Sequence, residues 1–379
     1  MSLAEDLVIE ILERLPTKSL MRFKSVHRSW NALFKTNSFV CRHSQRQKQS
    51  HQQQRFIIFH AAYDLDPGPV HKLNLLLLSS STFHVQDLQY PLHHRNNYHL
   101  ERIRLLGYYN GVLCIRVTLS PNSNSSEGGG GDSFDETIVW NPATKETKVV
   151  THSPFPPPKD FCHCFGFGAA HPNTFDDFKL IKIYYPFPDS DNANANDVFA
   201  EVYNINTNSC TLIQDIGADD ITSFDNHSYG LFSNGVCHWL AYEGTHILCF
   251  DLASNKSRKV NTPLTQEFST IHVARDSIAY AVRRNLGFPI YDYNLIEIWI
   301  LNQDYCSWTK LWNVGTLDVS IEIYALWKDD TEFIGGSRYH ALASYDSRAQ
   351  PKRLFQFSDY GLLEVHMHEY VESIATFSL

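Results

Sequence analysis

The chain has 379 residues, of which 43% are hydrophobic, 13% aromatic and 19% charged. This composition excludes a disordered chain and allows one large domain with a small one beside it. The net charge is −9, but the first 55 residues carry ten Lys or Arg against four Asp or Glu, which leaves −15 on the remainder. An acidic main part disfavours nucleic-acid binding and favours a neutral or basic partner.

The first ten residues, MSLAEDLVIE, lack the basic start and the apolar run of a secretory signal. No apolar run approaches the roughly 20 residues that a membrane-spanning helix needs. Eight cysteines without a secretory signal indicate reduced thiols. We therefore expect no membrane association and a cytoplasmic location, with the nucleus as a second compartment.

The N-terminal stretch predicts three short helices. The first has an apolar stripe that runs from Leu3 to Leu15 and ends at Pro16. Thr17 is expected to cap the second helix, and the third carries Val26 and Trp30 four residues apart. A unit of about 40 residues seldom buries enough apolar surface to be stable alone. Either a partner covers it, or it is the core of a small helical subdomain that packs on the rest.

The order of residues in this stretch resembles the plant F-box. The resemblance rests on DLVIEILERLP (6–16), KSLMRFK (18–24) and RSW (28–30), three linked pieces at fixed spacing. F-box helices dock on a Skp-type adaptor, which joins a cullin scaffold in a ubiquitin ligase. The opening Leu3-Ala4 replaces the Leu-Pro of the family and affects the first adaptor contact. The resemblance implies an apolar adaptor-binding surface made of Leu7, Ile11, Leu15, Pro16, Leu20, Val26 and Trp30.

Residues 42–55, RHSQRQKQSHQQQR, are polar and basic. We interpret them as a linker between an F-box at 1–41 and a domain at 56–379, or as an extension of the last helix. No aromatic residue is interleaved to stack on bases, so a nucleic-acid arm is disfavoured.

Beyond residue 56, short β-rich runs recur with a turn built on Asn or Asp. The turn residues are separated by 63, 47, 51 and 44 positions and are Asn141, Asn204, Asp251, Asn302 and Asp346. An Asn or Asp side chain can bond its own backbone two residues on, which favours a hairpin. Asn110-Gly111 and Asn234-Gly235 are further hairpin signals.

This spacing predicts a large all-β domain, a β-propeller with one blade per repeat. Five units and an early degenerate one, FIIFHAAYDLD (56–66), indicate about six blades, with seven as an alternative. A β-sandwich is the other fold we considered, although it would not need such regular spacing.

The repeated units resemble the F-box-associated, kelch-like domain of plants. The matching pieces occur in the family's order across most of residues 100–375 and are WNPAT (140–144), GFG (166–168), FKL (178–180), EVYN (201–204), SWTKL (307–311) and YVESI (370–374). Within that family the chain is most similar to S-locus F-box and S-locus F-box-like proteins. The narrower resemblance implies recognition of a secreted, basic pistil ribonuclease in self-incompatibility.

Two patterns suggest chemistry, but neither is complete. The glycine run SSEGGGGDS (125–133) lacks the Lys-Ser/Thr and the helix of a phosphate loop. Cys162, His163 and Cys164, with His366 and His368, lack the spacing of a zinc site. No Gly-x-Ser-x-Gly motif is present. We expect no catalytic residue, no metal and no cofactor.

The sequence thus predicts a non-catalytic substrate receptor that brings a protein substrate to a ubiquitin ligase by proximity. Binding residues concentrate in loops on rigid scaffolds, so the substrate face is expected near residues 63–71, 91–99, 186–198, 219–229 and 284–294. Two alternatives remain open. One is a propeller enzyme or glycan-binding module with an acidic pocket in the central channel. The other is an F-box scaffold that has no role in a ligase.

Overall fold

The protein is described by a computed structural model. The residues that it describes are 5–50, 54–64, 68–78, 83–88, 98–121, 133–150, 155, 161–171, 174–175, 177–186, 198–217, 223–224, 229–242, 244–264, 269–274, 276–285, 294–317, 321–327, 331–337, 340–348, 350–355 and 362–377. No helix among them combines the length and the hydropathy that crossing a bilayer would require.

The N-terminal part contains four helices, one more than the sequence predicts. They are α1 (Glu5–Glu13), α2 (Thr17–Phe23), α3 (Arg28–Leu33) and α4 (Asn37–Ser50). The prediction that Thr17 caps α2 is wrong, because Pro16 occupies the cap and Thr17 is the first helical residue. The Thr17 side chain is buried instead. At α3 the capping residue is His27, whose Nδ1 accepts a hydrogen bond from the Ser29 amide at 3.3 Å.

Helix α4 replaces most of the expected linker, so the helix-extension interpretation holds for residues 42–50. Its side chains are tied to α1. The carboxylate of Glu13, which is 3% exposed, pairs with Arg42 and lies 3.0 Å from Arg46 Nε. His43 Nε2 and Gln47 Nε2 lie 2.9 and 3.2 Å from the Leu15 carbonyl oxygen. Residues spaced about four apart on a helix share one face, which here packs on α1.

The rest of the described chain forms 24 strands in six four-stranded blades, which confirms the predicted fold class. Each blade runs outward from the central axis through strands A, B, C and D. Blade 2 contains β4 (Tyr98–Tyr109), β5 (Val112–Pro121), β6 (Phe134–Asn141) and β7 (Glu146–Val150). Blade 3 contains β8 (Phe161–Ala169), β9 (Phe178–Pro186), β10 (Phe199–Asn204) and β11 (Ser209–Ile213). Blade 4 contains β12 (Tyr229–Ser233), β13 (Val236–Leu240), β14 (His246–Asp251) and β15 (Lys256–Asn261).

Blade 5 contains β16 (Ser269–Ala274), β17 (Ser277–Asn285), β18 (Asn294–Leu301) and β19 (Trp308–Leu317). Blade 6 contains β20 (Glu322–Trp327), β21 (Glu332–Ser337), β22 (His340–Asp346) and β23 (Pro351–Phe355). Blade 1 joins the two ends of the β domain. Its strand A is β24 (Leu362–Glu369), and its strands B, C and D are β1 (Gln54–Asp64), β2 (Gly68–Leu78) and β3 (Phe83–Asp87). The pairing of β24 with β1 therefore closes the ring.

The predicted Asx turns are confirmed between strands C and D. The side-chain oxygen of Asn141 accepts from the Ala143 amide at 3.0 Å. The same bond, two residues on, is made by Asn204, Asp251 and Asp346. In blade 5 the sequence predicts Asn302 as the turn residue, but the residue that accepts these hydrogen bonds is Asp304, from the Cys306 and Ser307 amides. The Asn-Gly pairs at 110–111 and 234–235 have positive φ and connect strands A and B in blades 2 and 4.

Blades 3 and 4 meet through glycines on their innermost strands. Gly166 and Gly230 lie where β8 and β12 pair in parallel. A Cβ on either would come within 2.6 Å of the Trp239 ring. The Trp239 indole fills that space and its Nε1 donates to the Phe165 carbonyl at 2.9 Å. Only residues without a side chain allow this approach.

The order of strands within each blade defines two faces of the propeller. Because successive strands are antiparallel, the A–B and C–D turns lie on one face, and the B–C and D–A connections lie on the other. The helical unit packs on the first, which we call the turn face. Asn37 Oδ1, at the start of α4, accepts from the amide of Phe175, which lies between β8 and β9.

Candidate functional site

Three residues of the predicted adaptor-binding surface are strongly exposed. Leu7 and Ile11 are 49% and 51% exposed and lie four residues apart on α1, so they form one stripe. Val26, in the turn after α2, is 63% exposed, and Pro16 is exposed as well. Large apolar side chains in contact with water at the surface of a small helical unit are typical of a protein-binding site.

The other three residues have mixed or internal positions. Leu20 is 0% exposed, so in this structure it belongs to the core and not to the surface. Leu15 and Trp30 are half-buried and pack against the same core. The Trp30 and Phe23 ring centroids are 5.7 Å apart. Trp30 and Leu15 therefore support the helices as well as reaching their surface.

The helical unit and the propeller share one apolar core. Leu20, Phe34 and Phe39 of the helices cluster with Phe175 and Phe377 of the β domain. The C-terminal segment after β24 is part of this junction, because the Phe377 amide donates to Glu146 Oε1 at 2.9 Å.

Asn141 holds the C-terminal segment in place. Its side chain is 0% exposed, and Nδ2 donates to the carbonyls of Ser373 and Ala375 at 2.9 and 3.0 Å. Tyr108 acts nearby: its hydroxyl accepts from the amides of Val371 and Gly111 at 3.1 and 2.9 Å. The sequence marks Asn141 only as a turn residue, and no local pattern indicates its amide contacts more than 200 positions away.

The loops that were expected to bind substrate leave from the face opposite the helical unit. Most of 63–71, 91–99, 186–198, 219–229 and 284–294 lies outside the described residues. Their flanking strands are described, and each segment joins strand B to C or strand D to A. All five therefore start from one face, which we call the loop face, and the helical unit occupies the other.

The candidate metal ligands do not converge. Cys162, His163 and Cys164 lie on the inner strand of blade 3, whereas His366 and His368 lie on that of blade 1. Cys164 is buried, and burial raises the pKa of its thiol. The described residues include no group of three or more His, Cys, Asp or Glu that could hold a metal ion.

The glycine run at 125–133 lies almost wholly outside the described residues.

A cavity of about 240 Å³ is present at the outer strands of blade 4, lined by Asp251, Lys256 and Arg258 among others. It lies away from the central channel, where the enzyme or glycan-binding alternative places its pocket.

Comparison with known proteins agrees with this two-part architecture. A four-helix unit packed on a six-bladed propeller is the architecture of propeller-bearing F-box proteins. The F-box domain model matches residues 1–42, and the F-box associated beta propeller domain model matches residues 131–377. The second match spans more than half of the chain, so the chain belongs to the F-box proteins with an F-box-associated β-propeller. The family resemblance at this level is confirmed.

The chain is similar to several proteins of Arabidopsis thaliana. It is 25% identical over 316 residues to an F-box/LRR-repeat/kelch-repeat protein, covering 80% of this chain and 74% of that one. It is 20% identical over 330 residues to an F-box/kelch-repeat protein, covering 82% and 79%. A solved chain from a nidogen/laminin complex has 10% identity and a TM-score of 0.43, covering 86% of this chain and 100% of that one.

Proposed function

We propose that this protein is the substrate-recognition subunit of an SCF-type ubiquitin ligase. The F-box binds a Skp-type adaptor, which links it to the cullin scaffold, and the loop face of the propeller binds a protein substrate. The observation that carries the proposal is the exposed stripe of Leu7 and Ile11 with Val26 on an F-box whose opposite side is covered by the propeller. The protein acts in the cytoplasm or nucleus and contributes no catalytic residue.

The mechanism is proximity. The apolar core that the F-box and the propeller share holds the loop face at a defined position relative to the adaptor. A bound substrate then has its lysines at high effective concentration near the ubiquitin-charged enzyme on the same scaffold.

The test is co-expression with a plant Skp-type adaptor followed by size-exclusion chromatography. The variant Leu7→Asp/Ile11→Asp places two carboxylates in the apolar contact, so we expect adaptor affinity to fall at least about 100-fold. The pair Trp30→Ala/Leu15→Ala is less informative, because both side chains also pack in the core.

The matched control is Leu354→Asp, since Leu354 is 61% exposed on β23 of the propeller. We expect this variant to keep the adaptor and to elute as wild type does. Retention of the adaptor by Leu7→Asp/Ile11→Asp, with an unchanged melting temperature, would contradict the proposed surface.

The resemblance to S-locus F-box proteins supports one candidate substrate, a secreted pistil ribonuclease of basic charge. A net charge of −15 on residues 56–379 favours association with a basic protein. We expect the adaptor-bound protein to retain a purified pistil ribonuclease on a column at low salt. Failure to retain any such ribonuclease would remove this substrate and leave the receptor role in place.

A further inference from the structure

The interface between blades 2 and 3 changes character along the propeller axis. Near the turn face it is apolar, where Cys114 and Val139 of blade 2 meet Phe167 of blade 3. Toward the loop face it becomes polar and charged. The four cations of this part, which we call the basic cleft, are Arg102 and Arg104 on β4, Arg116 on β5 and Lys182 on β9.

On blade 2 the cleft is built by cross-strand neighbours. Arg104 pairs with Arg116 across β4 and β5, and Arg102 pairs with Thr118 one step nearer the loop face. Residues opposite each other in antiparallel strands share one side of the sheet. Arg102 and Arg104 are exposed, and the Arg116 side chain is 25% exposed, so all three are accessible from solvent.

One carboxylate on blade 2 compensates part of this charge. Asp135 accepts hydrogen bonds from the Arg116 guanidinium and, at 2.6 Å, from the Thr118 hydroxyl. Burial acts to raise the pKa of Asp135, but these two partners outweigh it and hold that pKa below its usual range. Asp135 therefore stays ionised, and its charge is taken up by Arg116.

On blade 3 the cation is less well compensated. Lys182 Nζ lies 4.4 Å from the Tyr184 ring centroid and 5.8 Å from that of Phe165. The Arg116 guanidinium carbon lies 5.8 Å from the same Phe165 ring, so two cations converge on it. Burial lowers the pKa of Lys182, and Arg116 lowers it further, whereas the buried Glu201 acts in the opposite direction.

His163 lies where the two blades meet, and its pKa depends on the charged side chains around it. Its Nε2 is 3.0 Å from Arg116 Nη1 and accepts from it when the ring is neutral. Burial, followed by the charges of Lys182, Arg116 and Arg104, lowers the pKa of His163 to about 4, and only Asp135 opposes them. A neutral ring at physiological pH adds no positive charge, so the positive charge of the cleft comes from its arginines and Lys182.

The cleft is adjacent to the connections expected to bind substrate. Strand β4 begins at Tyr98, near the end of the segment 91–99, and β9 ends at Pro186, where the segment 186–198 begins. Glu101 also lies at this end and accepts a hydrogen bond from the Ser120 hydroxyl. The four cations of the basic cleft therefore have three carboxylates near them, those of Glu101, Asp135 and Glu201. In the whole of residues 56–379 the balance is reversed, with a net charge of −15.

We propose that the basic cleft between blades 2 and 3 binds acidic side chains on an extended segment of the protein substrate. This inference rests on the receptor role proposed above and adds the chemistry of one contact. Arginine guanidinium groups bind carboxylates in a bidentate manner. Arg102 and Arg104 are two positions apart on one strand, which is the spacing of side chains at alternate positions of an extended peptide that share one face.

The test uses the adaptor-bound full chain and a fluorescein-labelled hexaglutamate peptide, with anisotropy measured at about 50 mM salt. The variant Arg102→Glu/Arg104→Glu changes two exposed side chains, and we expect it to weaken peptide binding at least about ten-fold. The control Lys256→Glu/Lys259→Glu changes two exposed side chains on the outer strand β15 by the same total charge. We expect it to change binding less than about two-fold.

A labelled hexalysine peptide provides a second measurement on the same variant. We expect Arg102→Glu/Arg104→Glu to weaken the binding of hexaglutamate but not that of hexalysine, and equal weakening of both peptides overturns the cleft. Equal losses in the two charge-reversal variants overturn it as well, because they indicate a general charge effect. Adaptor co-elution is recorded for every sample. A cleft test that fails while the adaptor stays bound removes only this inference, whereas loss of the adaptor from wild type removes the receptor role.

Discussion

Glu13 joins α1 to α4 through two ion pairs. Its carboxylate is almost fully buried between α1 and α4 and meets Arg42 and Arg46, whose side chains are 49% and 38% exposed. Removing the carboxylate leaves the two guanidinium groups without their shared counterion. Since both arginines reach water, the cost is smaller than that of a fully buried pair.

We expect Glu13→Gln to lower the free energy of unfolding by about 2 kcal/mol. The matched control is Glu10→Gln, where an exposed carboxylate pairs with Arg14 on the same helix. That change is expected to cost less than about 0.5 kcal/mol. Urea denaturation followed by far-ultraviolet circular dichroism measures both. Equal effects at the two positions would show that the buried pair contributes nothing beyond a surface one.

His238 is a buried histidine that we expect to make the propeller sensitive to acid. Its ring is 1% exposed, its Nδ1 lies 3.2 Å from the Leu231 carbonyl oxygen, and burial lowers its pKa from 6.5 to about 4. Between those pH values the unfolded chain binds a proton that the folded chain does not. Stability from this residue is therefore complete above pH 6.5, and it is lost progressively as pH falls toward 4.

We expect the loss from His238 at the acid end of this window to reach about 3 kcal/mol. The variant His238→Gln removes the titrating group, so its melting temperature should fall less than that of wild type between neutral and acidic pH. Comparing the two proteins cancels the contribution of the other histidines. Parallel falls in melting temperature would mean that His238 does not carry the acid sensitivity.

At the scale of elements, the hairpins and helix α4 differ in how far the local sequence predicts them. Asn141, Asn204 and Asp251 bond amides two residues away, so a few neighbouring residues contain the whole signal. Helix α4 was less evident, because beyond Phe39 and Val40 its residues are mostly polar. Phe39 and Val40 are buried in the shared core, and the polar part is held by ion pairs and hydrogen bonds to residues about 30 positions earlier.

Asn141 combines a local turn with a distant anchor, and Asn141→Asp separates the two roles. Aspartate keeps the oxygen that accepts from Ala143 but replaces the amide that donates to Ser373 and Ala375. Three oxygens then meet in a buried site, so we expect a loss of about 3 kcal/mol and faster proteolysis of the C-terminal segment.

The control for this variant is Asp251→Asn, which keeps the same turn oxygen in a more exposed hairpin. It is expected to change stability by less than about 0.5 kcal/mol. Cleavage after residue 370 is followed by mass spectrometry. An unchanged cleavage rate in Asn141→Asp would show that the segment is held by its apolar contacts alone.

At the scale of the whole molecule, the F-box and the propeller depend on each other. Leu20, Phe34 and Phe39 pack in the same core as Phe175 and Phe377, so neither part buries its apolar surface alone. We expect a peptide of residues 1–50 to show less than about half of the helicity that α1 to α4 have in the full chain. Circular dichroism of the peptide tests this, and full helicity without the propeller would contradict it.

The sequence predicted an F-box and a β-propeller of about six blades, but not how these parts meet. Leu7 and Leu20 are both apolar residues of short amphipathic helices, yet one is exposed and the other is buried. The difference arises because the propeller covers only one side of the helices. The closure of blade 1 by β24 likewise joins strands about 300 positions apart, and no repeat spacing contains that information.

The position of α4 before β1 and of β24 before the C-terminal segment has a consequence for how the protein can vary. Both segments enter and leave the ring on the turn face, so every connection on the loop face begins and ends within the propeller. Insertions or deletions in those connections change neither the path of the chain into the F-box nor the junction beneath it. Natural variants of such a receptor could therefore acquire new substrates by changes in loop length while the same ligase continues to recruit them.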